Sequence, residues 1–200
     1  MIKEKLYKEL VEIRHYLHAH PEVSEEEFET TKFIREKLLD WEIEILESNL
    51  KTGLVAKIGS GKPVIALRAD IDALPILEET GLEFESKNKG AMHACGHDLH
   101  MTSLLGAAQL IKKQEQELKG TIKLIFQPAE EIGEGAKQVL QTGLLSDVQA
   151  FWVIIICQLY QADSLDCAKE GSWLQSNDSK LLLKDKEVMQ RILKKEETLF

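Results

Sequence analysis

No apolar run in this 200-residue chain approaches the roughly 20 residues that a membrane-spanning helix needs. The first residues, Met1-Ile2-Lys3-Glu4-Lys5, alternate in charge with no apolar segment behind them, which does not fit a secretory leader, so a cytoplasmic chain is expected. Basic residues are in deficit: 25 Lys and Arg face 34 Asp and Glu, for a formal net charge of −9. Nucleic acid and anionic membrane surfaces would be repelled, and no Lys/Arg stripe offsets the repulsion. A small-molecule partner is expected instead. Cysteine is scarce and odd in number, with only Cys95, Cys157 and Cys167, which argues against a disulfide framework and for a reduced thiol at Cys95. Proline is rarer than average, and all four prolines and all six histidines lie before residue 129. Apolar residues are not lacking: at 44 % of the chain they suffice for a real core.

The apolar residues Ile2, Leu6, Leu10, Ile13 and Leu17 recur at helical spacing and predict an amphipathic helix ending near His20-Pro21, where proline disfavours a helical predecessor. Ser24 followed by Glu27 has the pattern of a capping box, predicting a second helix to about Leu39 with Phe28, Thr31, Ile34 and Leu38 facing the core. The period then changes. Ile43 to Ile45, Gly53 to Gly59 and Pro63 to Arg68 read as strands, the last two as a hairpin around Ser60-Gly61-Lys62. The unbroken apolar run from Val64 to Leu67 suggests a sheet covered on both faces. Met101 to Leu118 is helical, Thr121 to Phe126 a strand, Ala136 to Gln141 a helix closed by Gly143, and Phe151 to Cys157 a strand. The order implies an α/β fold with a mixed central sheet flanked by helices.

The chemistry concentrates in Met92-His93-Ala94-Cys95-Gly96-His97-Asp98-Leu99-His100, since thiolates and neutral imidazoles are preferred zinc ligands. Cys95-x-His97 alone fits a buried thiol and a helix-capping histidine equally well. Two acidic clusters, Asp70/Asp72 and Glu130-Glu131, each follow a predicted strand, where open α/β sheets bind ligands, and they favour the metal reading. Adjacent carboxylates cannot both aim at one atom from a regular strand, so Glu130 and Glu131 suit a division between proton transfer and ligation. His15, His18 and His20 fit packing or capping at a helix end. Asp98 could orient a ring or cap its helix. Cys157 and Cys167 have no histidine neighbour at ligand spacing.

Three motifs occur in order: Arg68-Ala-Asp70-Ile-Asp72-Ala-Leu-Pro75, Met92-His-Ala-Cys95-Gly-His97-Asp98, and Phe126-Gln-Pro-Ala-Glu130-Glu131-x-Gly-x-Gly135. With Arg14-His15-Tyr-Leu-His18-Ala-His-Pro21-Glu22, they resemble the metal-dependent amidohydrolases of the hippurate hydrolase, N-acyl-amino-acid amidohydrolase and indole-acetyl-amino-acid hydrolase type. The resemblance implies a zinc-peptidase-like catalytic domain that hydrolyses N-acyl amino acids or peptides with two divalent ions, Zn, Mn or Co. It implies Cys95 as bridging thiolate, His97 and Glu131 as ligands to one ion each, Glu130 as general base and Asp70 as the carboxylate that orients the ligands.

The resemblance covers residues 1–150 and stops there. The family's two further histidine ligands and its lid and dimerisation domain are not legible in 151–200. Back-translating Ala150 to Gln158 one base out of register permits Ile-Leu-Gly-Tyr-His-Asn-Met-Pro, and Lys184 to Leu193 in the same register permits Gly-Gln-Gly-Gly-His-Ala-Ala-Asn-Pro, both motifs of that family. Residues 151–200 are therefore expected to be frame-displaced and poorly ordered, and the chain weakly active or inactive, with the site incomplete. The alternative is a non-catalytic metal-binding or interaction fragment.

Overall fold

A computed structural model describes residues 2–154. Its helices are α1 (Ile2–Ala19), α2 (Phe28–Asp40), α3 (His97–Lys113) and α4 (Gly135–Gln141). Its strands are β1 (Glu44–Leu46), β2 (Leu54–Ser60), β3 (Val64–Asp70), β4 (Gly120–Gln127) and β5 (Ala150–Val153). The strand expected to end at Cys157 thus forms as far as Val153, and residues 155–200 lie outside the described residues. None of the described helices is long and apolar enough to cross a membrane.

The strands form one mixed sheet in the order β1-β2-β4-β3-β5. β2 runs antiparallel to β1 and β4, while β3 runs parallel to β4 and β5. The expected β2–β3 hairpin does not form, because β4 lies between the two strands. β4 is buried at all eight positions, and a strand with that pattern needs a neighbour on each side and cover on both faces. The apolar run of β3 is likewise buried on both faces. α1, α2 and α3 pack Leu17, Ile34, Leu38, Leu104 and Leu105 onto one face of the sheet around Phe126, whereas α4 brings Val139 to Val55, Ala66 and Ile125 on the other.

Two local expectations fail for tertiary reasons. Ser24 and Glu27 form no capping box. α2 starts at Phe28 with no cap bond from Glu27, since Ser24 Oγ donates to Asp72 and the Glu27 carboxylate is engaged elsewhere; the Glu22 carboxylate accepts the Glu29 and Thr30 amides in its place. Phe28 is 49 % exposed rather than in the core, and the Lys51 ammonium lies 5.3 Å over its ring. Ile34 and Leu38 are buried as expected.

The polar connection from β3 to α3 is held against α1. Phe84 stacks on His15 with 3.9 Å between ring centroids, Lys87 N–H donates to Ala19 O, and Asn88 donates to Pro21 O. His18, expected as a packing residue, has both ring nitrogens engaged, one by Asp98 at 2.8 Å and one by Glu78 at 3.0 Å. Asp98, which also accepts from Arg14 at 2.9 Å, therefore ties α1 to α3. Burial alone would raise the pKa of Glu78, but hydrogen bonds from Thr80, His18 and the Ser86 amide outweigh it and the pKa is lowered. A lowered carboxylate contributes stability that is present above its unfolded pKa and lost as pH falls through the folded one. Wild type is thus expected to lose on the order of 1 kcal/mol from this group below about pH 4, a loss that Glu78→Gln does not show. Urea unfolding at neutral and acid pH measures it, and superimposable acid limbs would contradict the assignment.

Candidate metal centre

Because β3 and β4 are parallel and in register, with Asp70 opposite Gln127, the loops leaving their C-terminal ends emerge side by side. The first carries Asp70 and Asp72, and the second carries Glu130 and Glu131. α3 starts between them at His97, after Gly96 in the left-handed region at φ 78°, a conformation that costs glycine nothing. The three polar clusters distant in sequence thus share one edge of the sheet.

Cys95, His97 and Glu131 each present a ligand atom, and the three atoms lie within 4.8 Å of one another. His97 Nδ1 donates to the Asp72 carbonyl at 2.8 Å, which fixes the tautomer and leaves the Nε2 lone pair facing Glu131 Oε1 at 3.7 Å and Asp70 Oδ1 at 3.6 Å. Burial would lower the His97 pKa, but Asp72 and Asp70 raise it. A hydrogen bond to Glu131, then burial and the charges of Glu131, Glu130 and Asp70, push the Cys95 thiol up to about 12. Glu131 Oε1 is buried without a hydrogen-bond partner. A neutral thiol crowded by carboxylates and an orphaned carboxylate oxygen are the features a divalent cation would relieve, and sulfur, imidazole and carboxylate are its usual donors. The residues present fit such an ion.

Glu130 sits beside this set, its pKa raised first by burial and then by Asp70. Beside Asp70, Asp72 makes orienting contacts of its own. Asp72 is fully buried, holds His97 through its carbonyl, and accepts the Glu131 amide at 3.0 Å and Ser24 Oγ at 2.6 Å on Oδ2. Burial works against its ionisation, but His97 beside its carboxylate, then Ser24 and the Glu131 and Glu130 amides, bring its pKa down to about 2. Asp70 accepts from His100 Nδ1 at 2.6 Å and Arg68 at 2.7 Å, and with His97 and His100 it forms a second group of potential ligands. Asp72 was visible in sequence as the same-face neighbour of Asp70 in an extended Asp-x-Asp. His93, between these clusters, is buried with no partner on either nitrogen, and burial lowers its pKa to about 4.

A mixed α/β sheet carrying thiol, imidazole and paired carboxylates at the ends of its parallel strands is the framework of a metal-dependent hydrolase. The profile of Peptidase family M20/M25/M40 matches residues 66–194, and the chain belongs to that family. It is 56 % identical over 147 residues to an N-acetyl-L-cysteine deacetylase of Bacillus subtilis, covering 72 % of this chain and 35 % of that protein. It is 47 % identical over 152 residues to IAA-amino acid hydrolase ILR1-like 6 of Arabidopsis thaliana, covering 76 % and 33 %. Among solved structures, Bacillus subtilis YXEP, a dinuclear metal binding peptidase of the M20 family, matches with a TM-score of 0.75 and 51 % identity, covering 77 % of this chain and 44 % of that one. The chain thus spans between a third and a half of the length of these relatives.

Proposed function

We propose that residues 2–154 form the metal-holding part of a hydrolase that cleaves the amide bond of N-acyl amino acids or peptides. The observation that carries this reading is the convergence of Cys95, His97 and Glu131 on one point with Glu130 alongside. The three residues would hold a divalent ion, Zn, Mn or Co, with a second ion as in the dinuclear relative. Such an ion polarises a carbonyl and acidifies water. Glu130, with its raised pKa, takes the proton of the attacking water and returns it to the leaving amine. Asp72 keeps His97 in its ligating tautomer. The relatives' N-acetylcysteine and IAA-amino acid substrates support an N-acyl amino acid as the small-molecule partner.

Among the described residues three donors converge on one point, enough for one ion with water but not for the two ions of the dinuclear relative, so the 200-residue chain is expected to bind metal weakly and to turn over little. Metal content at equilibrium with excess Co²⁺, without dialysis, together with hydrolysis of N-acetyl and N-benzoyl amino acids, tests this. Robust turnover overturns the low activity, turnover that stays undetectable with the ion bound favours the non-catalytic alternative, and absence of bound metal under excess ion overturns the centre. The frame displacement proposed for residues 151–200 is tested by the nucleotide sequence around codon 151, which must encode both histidine motifs in one displaced register.

A further inference from the structure

Glu27 takes no part in the metal-facing set, yet it is 0 % exposed. One carboxylate oxygen accepts the Ala129 amide at 2.7 Å, and the other accepts Thr52 Oγ1 at 2.7 Å. The helix it precedes does not require this, because the Glu27 side chain makes no cap bond and the first amides of α2 donate to the Glu22 carboxylate instead. What it grips is unusual. Ala129 stands at φ 47°, a left-handed conformation that side-chain-bearing residues rarely adopt, and the next two residues are Glu130 and Glu131. Past Ala129, the Glu131 amide is taken by Asp72 Oδ2 at 3.0 Å. Two buried carboxylates from separate elements therefore hold the backbone on either side of Glu130. The ring of contacts is closed by the Glu134 and Gly135 amides, both of which donate to Ala129 O. Burying Glu27 near the Asp72 charge works against its ionisation, so the arrangement is costly for a loop that would need only to turn.

We propose that Glu27 is a positioning residue of the metal centre: its hold on the Ala129 amide sets the directions in which Glu130 and Glu131 leave the loop. It thereby sets the affinity of the Cys95, His97 and Glu131 donors for a divalent ion. The proposal rests on the metal-centre reading above. Residues that orient ligands from behind typically carry 10–100-fold in metal affinity.

The test uses the full 200-residue chain and Co²⁺ alone, followed by the near-ultraviolet thiolate-to-cobalt absorption, with urea unfolding in parallel. Glu27→Met, of similar length but without an acceptor, is expected to weaken Co²⁺ binding roughly tenfold or more. Glu27→Gln, which keeps a carbonyl for the Ala129 amide, stays within roughly threefold of wild type. Thr52→Val removes the other partner of Glu27 and lowers stability without moving the affinity. Should Glu27→Met not fold, Glu27→Asp serves, its carboxylate one methylene too short to reach Ala129, and the same tenfold loss is expected. A wild type with no thiolate-to-cobalt band overturns the metal-centre reading itself. A wild type with the band, beside a folded Glu27→Met or Glu27→Asp of unchanged affinity, overturns the role of Glu27 alone. So does a Glu27→Gln as weak as Glu27→Met.

Discussion

Cys95→Ala is expected to abolish the thiolate-to-cobalt absorption of the 200-residue chain and to weaken divalent-ion binding about a hundredfold. The magnitude follows from four-ligand zinc sites, whose apparent binding free energies of about 10–16 kcal/mol amount to roughly 3 kcal/mol per ligand, or two decades in affinity. The direction follows from the surroundings of the thiol. Without an ion, Glu131 and its acidic neighbours hold Cys95 protonated, so the sulfur has no cation to serve except one bound among those same groups. Cys95 is exposed, and truncating it opens no cavity, so folding stability should change little. A Cys157→Ser/Cys167→Ser double variant should keep both the absorption and the affinity, since neither residue has a histidine near it in sequence and the converging donor set contains Cys95. Isothermal titration with Co²⁺ and the near-ultraviolet spectrum decide the matter. An unchanged affinity in Cys95→Ala, or a band that disappears only in the double variant, would place the ion elsewhere.

The elements were largely legible because their periods are strong. The Leu6-Leu10-Ile13-Leu17 stripe became α1, the Val64–Leu67 run became a strand buried on both faces, and Thr121–Phe126 became the strand at the middle of the sheet. Pairing was less legible. Proximity in sequence favours joining β2 to β3, but the fully buried β4 outcompetes that hairpin by offering a larger apolar surface to both. Nor can local pattern distinguish a Ser-x-x-Glu that caps its own helix from one whose side chains find buried partners 48 and 102 residues away. The donors of the site were visible because thiol, imidazole and carboxylate are themselves the chemistry. Asp72 was visible only as the neighbour of Asp70 and Glu27 not at all, because their grip on the site runs through the Ala129 and Glu131 amides and the Asp72 carbonyl, and a backbone group leaves no mark in a sequence. The polarity of the sheet closes the gap: once β3 and β4 are parallel, their two acidic loops must lie together.

That dependence on backbone makes Gly135→Ala the most damaging single methyl this loop could receive. An added Cβ at Gly135 would lie 1.5 Å from the Pro128 carbonyl oxygen and 2.6 Å from its carbon. These are main-chain atoms, which cannot rotate aside as a flexible side chain would. Relief requires either α4 or the 128–131 segment to move. α4 is fixed by buried Val139, while the segment is held by the Glu27 and Asp72 carboxylates, so the strain has no inexpensive outlet. Overpacking in cores costs about 1–3 kcal/mol where side chains can give way, and a clash with fixed backbone belongs at or above the upper end of that range. The urea midpoint of Gly135→Ala should fall accordingly. Any folded fraction should bind Co²⁺ at least roughly tenfold more weakly, because the segment that must yield carries Glu131. Gly133→Ala is the informative control. Its Cβ would meet nothing within 4 Å, so it suffers only the strain of its φ of 72°, on the order of 1 kcal/mol. If the two variants lose stability equally, the close approach of Pro128 is not what holds the loop. If Gly135→Ala is destabilised but binds Co²⁺ like wild type, the geometry of Glu131 does not depend on that approach.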